Sequence, residues 1–200
     1  MITSNGSHPT IVVTGAPASG KSTLVKVIMG AKIIPNCTTI GVDDILREMH
    51  GMGLLNGIAE INSEGALILS NRGPILAEAM QRLLDKRRSL AGPAIIESPI
   101  HEAFFTNLIS DSEAASGTCV LCLESPLHIR LQRNDLRHRD RISTDGVIHM
   151  PAKLETTLID QLKETTRGVR IFNSNRSIHS LRTDALNWLA DLQHSKSSVI

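Results

Sequence analysis

The sequence is poor in aromatic residues and nearly balanced in charge. Its 200 residues include no tyrosine, one tryptophan and three phenylalanines, and the formal net charge is +1. Proteins that bind single-stranded nucleic acid combine a basic groove with aromatic faces on which bases stack. Only Phe104 and Phe105 are candidates for stacking, and they also fit a core, while Phe172 and Trp188 lie in apolar patterns typical of one. Nucleic acid is therefore an alternative partner that the composition does not favour.

Cysteines and long apolar runs are also scarce. The three cysteines, Cys37, Cys119 and Cys122, are too few and too scattered for a disulfide framework. Cys119 and Cys122 have the spacing of a redox or zinc pair, but in a strand-like run residues three apart face opposite ways, so we expect buried, inert thiols. No run approaches the roughly 18 apolar residues of a membrane span, and residues 1–9 lack a secretory signal. We expect a cytoplasmic protein without a membrane partner, either a monomer or a homodimer.

Short apolar runs alternate with helical patterns along the whole chain. This alternation is typical of βαβ units and a mostly parallel sheet covered on both faces. The length of the chain predicts one domain over residues 1–200, with flexible tails at 1–9 and 194–200. The predicted strands are 10–14, 38–42, 93–97, 118–123 and 169–172. The predicted helices are 21–29, 43–50, one long helix from Pro74, 102–110, 147–166 and 182–192, and 51–71 has no assigned structure.

A phosphate-binding loop joins the first strand to the first helix. The motif G-x-x-x-x-G-K-S is read as Gly15, Ala16, Pro17, Ala18, Ser19, Gly20, Lys21 and Ser22, followed by Thr23. Its glycines allow backbone N–H groups to point at phosphate oxygens, Lys21 reaches the β- and γ-phosphates, and Ser22 contacts Mg²⁺. The motif predicts an ATP site, with GTP as an alternative, in a P-loop NTPase three-layer α/β/α sandwich. The alternative is a glycine-rich turn that only packs a helix on a strand.

Acidic residues follow two further predicted strands. Ligands of open parallel sheets lie beyond the carboxyl ends of the strands, where Asp43, Asp44 and Glu97 are expected. Asp43 or Asp44 is a candidate base for an acceptor hydroxyl, unless Asp43 only caps a helix over 44–49. Arg47 is a candidate for binding an anionic acceptor, and Glu97 is a candidate Mg²⁺ ligand or base. His101 is a candidate for the border of the acceptor pocket, or a surface residue.

Arginines are concentrated after the fourth strand. Arg130, Arg133, Arg137, Arg139 and Arg141 fall within twelve positions. Guanidinium groups on a mobile flap neutralise the charge of a phosphoryl group in transfer, so residues 130–146 are predicted to form a lid. Arg133 and Arg137 share a helical face and are candidates for catalysis, and Arg139 and Arg141 are candidates for nucleotide binding. The alternative is a solvated helix face with salt bridges.

The order of loop, acidic strand ends and arginine lid resembles the P-loop kinases of the nucleotide-kinase-like group, from Ile11 to about Leu192. Within that group, Gly41-Val42-Asp43 with Ile45-Leu46 and Met49 is similar to the acceptor motif of chloramphenicol phosphotransferase-like enzymes. Arg139-Asp140-Arg141 is similar to their lid. This resemblance implies Asp43 as the base.

Two other resemblances point to different substrates. The Asp-Asp-x-x-Arg run from Asp43 and the pair Arg133-Asn134 look like polynucleotide 5'-hydroxyl kinases, which implies Asp44 as the base. Glu97 departs from that pattern, because those kinases usually show an Asp one position later. Residues 97–101 are similar to an acid-to-histidine motif of 2-phosphoglycerate kinase-like proteins.

Together these features predict a Mg²⁺-dependent kinase that transfers the γ-phosphate of ATP to a hydroxyl of a small-molecule acceptor. A polynucleotide or nucleotide kinase is the alternative. A nucleotide-binding switch without transferase activity is less favoured, because the sequence has no Asn-Lys-x-Asp motif for reading a base.

Overall fold

A computed structural model describes residues 8–61, 67–69, 72–136 and 144–194. The strands are β1 (Thr10–Gly15), β2 (Thr38–Gly41), β3 (Ala59–Ile61), β4 (Leu67–Leu69), β5 (Ala94–Ser98), β6 (Thr118–Glu124) and β7 (Gly168–Asn173). Five of them form one parallel sheet in the order β2-β5-β1-β6-β7, while β3 and β4 pair as a separate antiparallel hairpin. The predicted five-stranded sheet is confirmed.

Helices cover both faces of the sheet. They are α1 (Lys21–Ala31), α2 (Val42–Gly51), α3 (Arg72–Ser89), α4 (Glu102–Ser110), α5 (Ser112–Ser116), α6 (Leu127–Asp135), α7 (Thr144–His149), α8 (Thr156–Thr165) and α9 (Ile178–His194). Apolar residues of α1 and α9 pack on one face, and those of α2, α3, α4 and α8 pack on the other. The chain therefore has the predicted three-layer α/β/α arrangement.

Alternation along the strands divides the core into two parts. All of β1 is buried, and Val12 belongs to the core under α2 and α3 whereas Ile11 and Val13 belong to the core under α1 and α9. Cys119 and Cys122 likewise face opposite sides of β6, and both are buried free thiols, as predicted. Burial raises the pKa of Cys122 to about 12. The spacing of these two cysteines therefore does not make a metal or redox pair.

Two of the predicted helices differ from the structure by more than a turn or by their continuity. A single helix over 147–166 is wrong, because α7 and α8 are separated by a segment that contains Pro151. Proline removes a backbone N–H and its ring clashes with the preceding turn, so a helix does not pass through it unbroken. Helix α9 begins at Ile178, four residues before the predicted start. Among the described helices, none is both long enough and apolar enough to cross a bilayer.

Candidate active site

The phosphate loop connects β1 to α1 at the carboxyl edge of the sheet. Its backbone includes two left-handed residues, Ala18 with φ 60° and Gly20 with φ 101°. A non-glycine residue in this region costs free energy, and such strain clusters at sites where a backbone shape has a function. At Gly15 a Cβ atom would lie 2.6 Å from the carbonyl oxygen of Leu123 and 2.7 Å from Ser19 Oγ. The loop therefore packs directly on β6, with no room for a side chain at its first glycine.

Lys21 begins α1 and reaches back over this loop. Its Nζ donates hydrogen bonds to the carbonyl oxygens of Gly15 and Ala16, each at 3.0 Å. The ammonium group is thus held beside the amino end of α1, where the helix dipole also favours an anion. This arrangement places two sources of positive charge at one end of the loop.

Ser22 and Glu97 meet although they are 75 positions apart in sequence. Strands β1 and β5 are neighbours, with Val13 opposite Glu97, so the carboxylate ends beside the first turn of α1. The Ser22 hydroxyl donates a hydrogen bond to Glu97 Oε1 at 2.7 Å. In the described part of the chain, no group of three or more His, Cys, Asp or Glu side chains is arranged to hold a metal. A hydroxyl and one carboxylate fit Mg²⁺, which usually takes only one or two carboxylates from the protein and further ligands from phosphates and water.

Two carboxylates lie in the first turn of α2. The helix begins at Val42, so Asp43 lies inside it, and the alternative in which Asp43 caps a helix over 44–49 is wrong. Asp44 Oδ2 instead accepts a hydrogen bond from the Gly41 N–H at 3.1 Å. Both carboxylates are exposed and both line the cavity beside the phosphate loop.

This cavity, of about 410 Å³, is the candidate active site. Its volume falls in the range of small-ligand pockets, roughly 300–1,000 Å³. The loop side is lined by Pro17, Ala18, Gly20, Lys21, Ser22 and Thr23. The strand ends contribute Gly41, Val42, Asp43, Asp44, Glu97 and Ser98. The remaining lining is apolar and consists of Leu46, Leu67, Leu69, Leu76, Pro99 and Met150, which we call the leucine wall.

The leucine wall is the part of the site that the sequence reasoning missed. Leu67 and Leu69 lie on β4, Leu76 on α3, and Met150 after α7, and no local motif links them. The one signal available was the spacing of Leu67 and Leu69, because residues two apart on a strand share a face. Segment 51–71, left without assigned structure, contains the hairpin that carries these two side chains.

Among the described arginines of the predicted lid, Arg133 contacts the phosphate loop. Its guanidinium donates to the carbonyl oxygen of Ser174 at 2.6 Å and to that of Ser19 at 3.3 Å. Arg130 is 3% exposed and bridges α6 to α7, because it donates to the carbonyl oxygens of Ser125 at 3.2 Å and Val147 at 2.7 Å. Burial lowers the pKa of Arg130. The structure therefore gives these two arginines different surroundings.

The other predicted arginines, Arg137, Arg139 and Arg141, lie outside the described residues, as does part of the lid predicted over 130–146.

Arg47 and His101 do not line the cavity. Arg47 is exposed on α2, and His101 precedes α4 as its N-terminal cap residue. The Nδ1 atom of His101 is buried, and it has no hydrogen-bond partner among the residues that the structure describes. Burial lowers the pKa of this imidazole. The cavity thus brings together Lys21, Ser22, Asp43, Asp44 and Glu97, but not these two.

Phe104 and Phe105 belong to the core. Their rings lie 5.1 Å apart in an edge-to-face arrangement, and both side chains are fully buried. The only candidate pair for base stacking is therefore not available at the surface.

Comparison of the sequence with protein-family models gives no match, and comparison with curated proteins gives no significant match. Solved structures do match the fold. A sugar kinase from Janibacter sp. HTCC2649 has a TM-score of 0.59 at 17% identity, over 92% of this chain and 95% of that one. A gluconokinase from Sinorhizobium meliloti has a TM-score of 0.53 at 18% identity, over 96% and 97%. Shikimate kinase from Acinetobacter baumannii, in complex with shikimate, has a TM-score of 0.52 at 13% identity, over 93% and 95%. The chain therefore has the fold of P-loop kinases.

Proposed function

We propose that this protein is a Mg²⁺-dependent kinase that transfers the γ-phosphate of ATP to a hydroxyl of a small-molecule acceptor. The observation that carries the proposal is a single cavity that joins the phosphate loop, the Ser22–Glu97 pair and the two carboxylates of α2. A phosphate site alone would serve a switch protein equally well, whereas carboxylates facing it give an acceptor a place to react. The three similar structures are named as kinases, which supports the same assignment. GTP is the alternative donor.

In this proposal the loop and its neighbours hold the nucleotide. Loop N–H groups and Lys21 bind the phosphates, and Ser22 and Glu97 would hold Mg²⁺. When bound, Mg²⁺ neutralises charge on the phosphate oxygens during transfer. Arg133, whose guanidinium lies on the loop at Ser19, adds a further positive charge there. Arg137, Arg139 and Arg141 keep the lid role that the sequence predicts for them.

Transfer then requires a base for the acceptor hydroxyl. The acceptor oxygen forms a bond to the γ-phosphorus while the bond from that phosphorus to the β–γ bridging oxygen breaks, and ADP leaves. The hydroxyl proton passes to Asp43. We assign Asp43 on the resemblance of Gly41-Val42-Asp43 to the acceptor motif of chloramphenicol phosphotransferase-like enzymes, and Asp44, whose Oδ2 accepts a hydrogen bond from the Gly41 N–H, fixes the first turn of α2.

An acceptor screen scored by ATP consumption tests the proposal. Sugars, antibiotics, nucleosides, phospho-acids and 5'-hydroxyl oligonucleotides are compared side by side, with Lys21→Ala as the inactive control. We expect ATP consumption that depends on one class of small alcohol. If the protein binds ATP but no acceptor raises its consumption, the kinase assignment is wrong and a binding module is favoured. Turnover on oligonucleotides alone would favour the polynucleotide kinase alternative.

A further inference from the structure

The acceptor end of the cavity has an unusual combination of walls. The carboxylates of Asp43 and Asp44 stand in the first turn of α2, Glu97 of the proposed Mg²⁺ pair lies on β5 beside them, and the leucine wall lines the same cavity. Its residues come from α2, β4, α3, the segment after β5 and the segment after α7, so five parts of the chain supply apolar surface to one pocket. Pockets bind ligands by matching apolar surface with a few placed polar groups.

The leucine wall is held in place by the core behind it. Leu67, Leu69 and Leu76 are half-buried and pack against the core under α2 and α3, while Leu46 is 6% exposed. In the hairpin, Leu69 pairs with Ala59, which is itself buried. These leucines therefore take part both in the packing around the core and in the lining of the cavity.

Negatively charged side chains outnumber positively charged ones in the described lining of the cavity. Among the described lining residues, Lys21 is the one cation, and its Nζ is bonded to Gly15 and Ala16 at the loop. Arg47, the sequence-based candidate for an anionic acceptor, lies outside the lining. A carboxylate or phosphate on the acceptor would therefore face the carboxylates of Asp43 and Asp44, and like charges brought together in this way discriminate against a ligand.

A polyhydroxylated acceptor fits no better. Hydroxyl groups pressed against leucine and methionine side chains lose their bonds to water and gain none from the wall. An apolar group in the same place gains free energy from leaving water.

We infer that the acceptor is an alcohol whose hydroxyl is carried on an apolar body without negative charge. Its hydroxyl lies at the carboxylates and its apolar body lies on the leucine wall. This inference rests on the proposed function, because it names the acceptor class of the same site. It also separates this protein from kinases that act on sugars or on hydroxy acids.

A matched pair of probes tests the inference by binding alone. 4-Phenyl-2-butanol and 2-hydroxy-4-phenylbutanoate differ only in a methyl or a carboxylate beside the hydroxyl, and sorbitol serves as the polyhydroxylated probe. Each is titrated into the whole protein loaded with Mg²⁺ and a non-hydrolysable ATP analogue, with ligand-observed NMR as the readout. We expect the neutral alcohol to bind at least about tenfold more tightly than the acid or sorbitol. Equal or tighter binding of the acid or of sorbitol, or no binding of the alcohol, overturns the inference.

Leu69→Asn tests the place of binding, with Leu54→Asn as the matched control. Leu54 is 48% exposed and lies between α2 and β3, outside the cavity lining. Leu69→Asn is expected to weaken binding of 4-phenyl-2-butanol by about tenfold, since it replaces one wall side chain by a polar one. Affinity for the ATP analogue should stay unchanged in both variants, which shows that the protein is folded. Equal losses of alcohol binding in the two variants would contradict the inference.

The variant Leu69→Arg tests whether the binding of the acid can be increased. It adds a cation to the wall, so we expect it to raise the affinity for 2-hydroxy-4-phenylbutanoate and to lower that for the neutral alcohol. If the acid gains nothing, the wall does not contact the acceptor and the inference fails. These readouts need no turnover, so they are independent of the acceptor screen. If the alcohol binds while no compound of the screen raises ATP consumption, the proposed kinase is refuted and the pocket assignment stands.

Discussion

Replacing Gly15 with alanine puts a methyl group into a space that is already filled. The new Cβ would lie 2.6 Å from the carbonyl oxygen of Leu123, 2.7 Å from Ser19 Oγ and 3.1 Å from Leu123 Cβ. The serine oxygen can rotate away, but the carbonyl oxygen belongs to β6, which is hydrogen-bonded to β1 and β7 in the middle of the sheet. Relief therefore requires the loop to move away from the strand.

The cost has two sources. Overpacking of a filled site costs roughly 1–3 kcal/mol. The backbone of Gly15, with φ 154°, is one that side chains rarely adopt, which adds to this cost. We expect the free energy of unfolding to fall by roughly 2–4 kcal/mol, which lowers the Tm of a protein of this size by roughly 4–16 °C. ATP binding should weaken as well, because the loop that is proposed to hold the phosphates is displaced.

Gly30→Ala is the matched control. Gly30 lies in the last turn of α1, and a Cβ there meets nothing within 4 Å. Alanine should stabilise the helix by up to about 1 kcal/mol. Urea unfolding and thermal melts of both variants, with and without ATP, give the comparison. If Gly15→Ala is as stable as the parent protein, or if both variants lose stability equally, the close packing of the loop on β6 is not what the structure indicates.

Three further predictions concern single side chains. Asp43→Asn should lower kcat of the phosphoryl transfer by roughly 10²–10⁴-fold with little change in stability. Asp44→Asn can still accept the hydrogen bond from the Gly41 N–H, so it should lower kcat by less than about tenfold. The reverse order in a steady-state assay would make Asp44 the base. Arg130→Met should lower the free energy of unfolding by roughly 2–4 kcal/mol in urea titrations, because it leaves two buried carbonyl oxygens without donors, and an unchanged midpoint would contradict this. The folded-state pKa of Cys122 is raised from 9.0 to about 12, so its thiol stays protonated in the folded protein while it ionises in the unfolded one, and stability should fall as pH rises through that interval. Cys122→Ala should make this alkaline loss of stability smaller, and an identical pH profile for the two proteins would count against burial as its cause.

The nucleotide half of the site could be predicted from sequence because its determinants are local. Strand, loop and helix follow one another within residues 10–31, and the shape of the loop depends on glycines at fixed positions. Glu97 needed one more step, since a parallel sheet brings the carboxyl ends of its strands to one edge. That rule placed it near Ser22 without any information on distance, and the structure adds the hydrogen bond of 2.7 Å.

The acceptor half could not be predicted, because its members are related only through packing. Leu46, Leu67, Leu76 and Met150 come from distant parts of the chain, and the three leucines also pack in or against the core, as apolar residues commonly do. Helical periodicity was also misleading near Pro151, where the apolar pattern continues through a residue that ends a helix. The spacing of apolar residues along the sequence does not specify long-range packing of this kind. Neither the leucine wall nor the break between α7 and α8 could therefore be predicted from that spacing.

The start of α2 shows how a shift of two residues changes the roles of its first carboxylates. A helix over 44–49 would make Asp43 the capping residue, whereas a helix that begins at Val42 makes Gly41 the capping residue and lets the Asp44 side chain bond back to the Gly41 N–H. Glycine at position 41 leaves room for this hydrogen bond, because a Cβ atom there would lie only 3.2 Å from Asp44 Oδ2. The Gly41 N–H donates to Asp44 Oδ2 at 3.1 Å, and without this hydrogen bond it would be one of the unsatisfied donors at the start of the helix. Asp44 therefore fixes the first turn of α2, and this turn holds Asp43 at the cavity, where the proposed function requires a base.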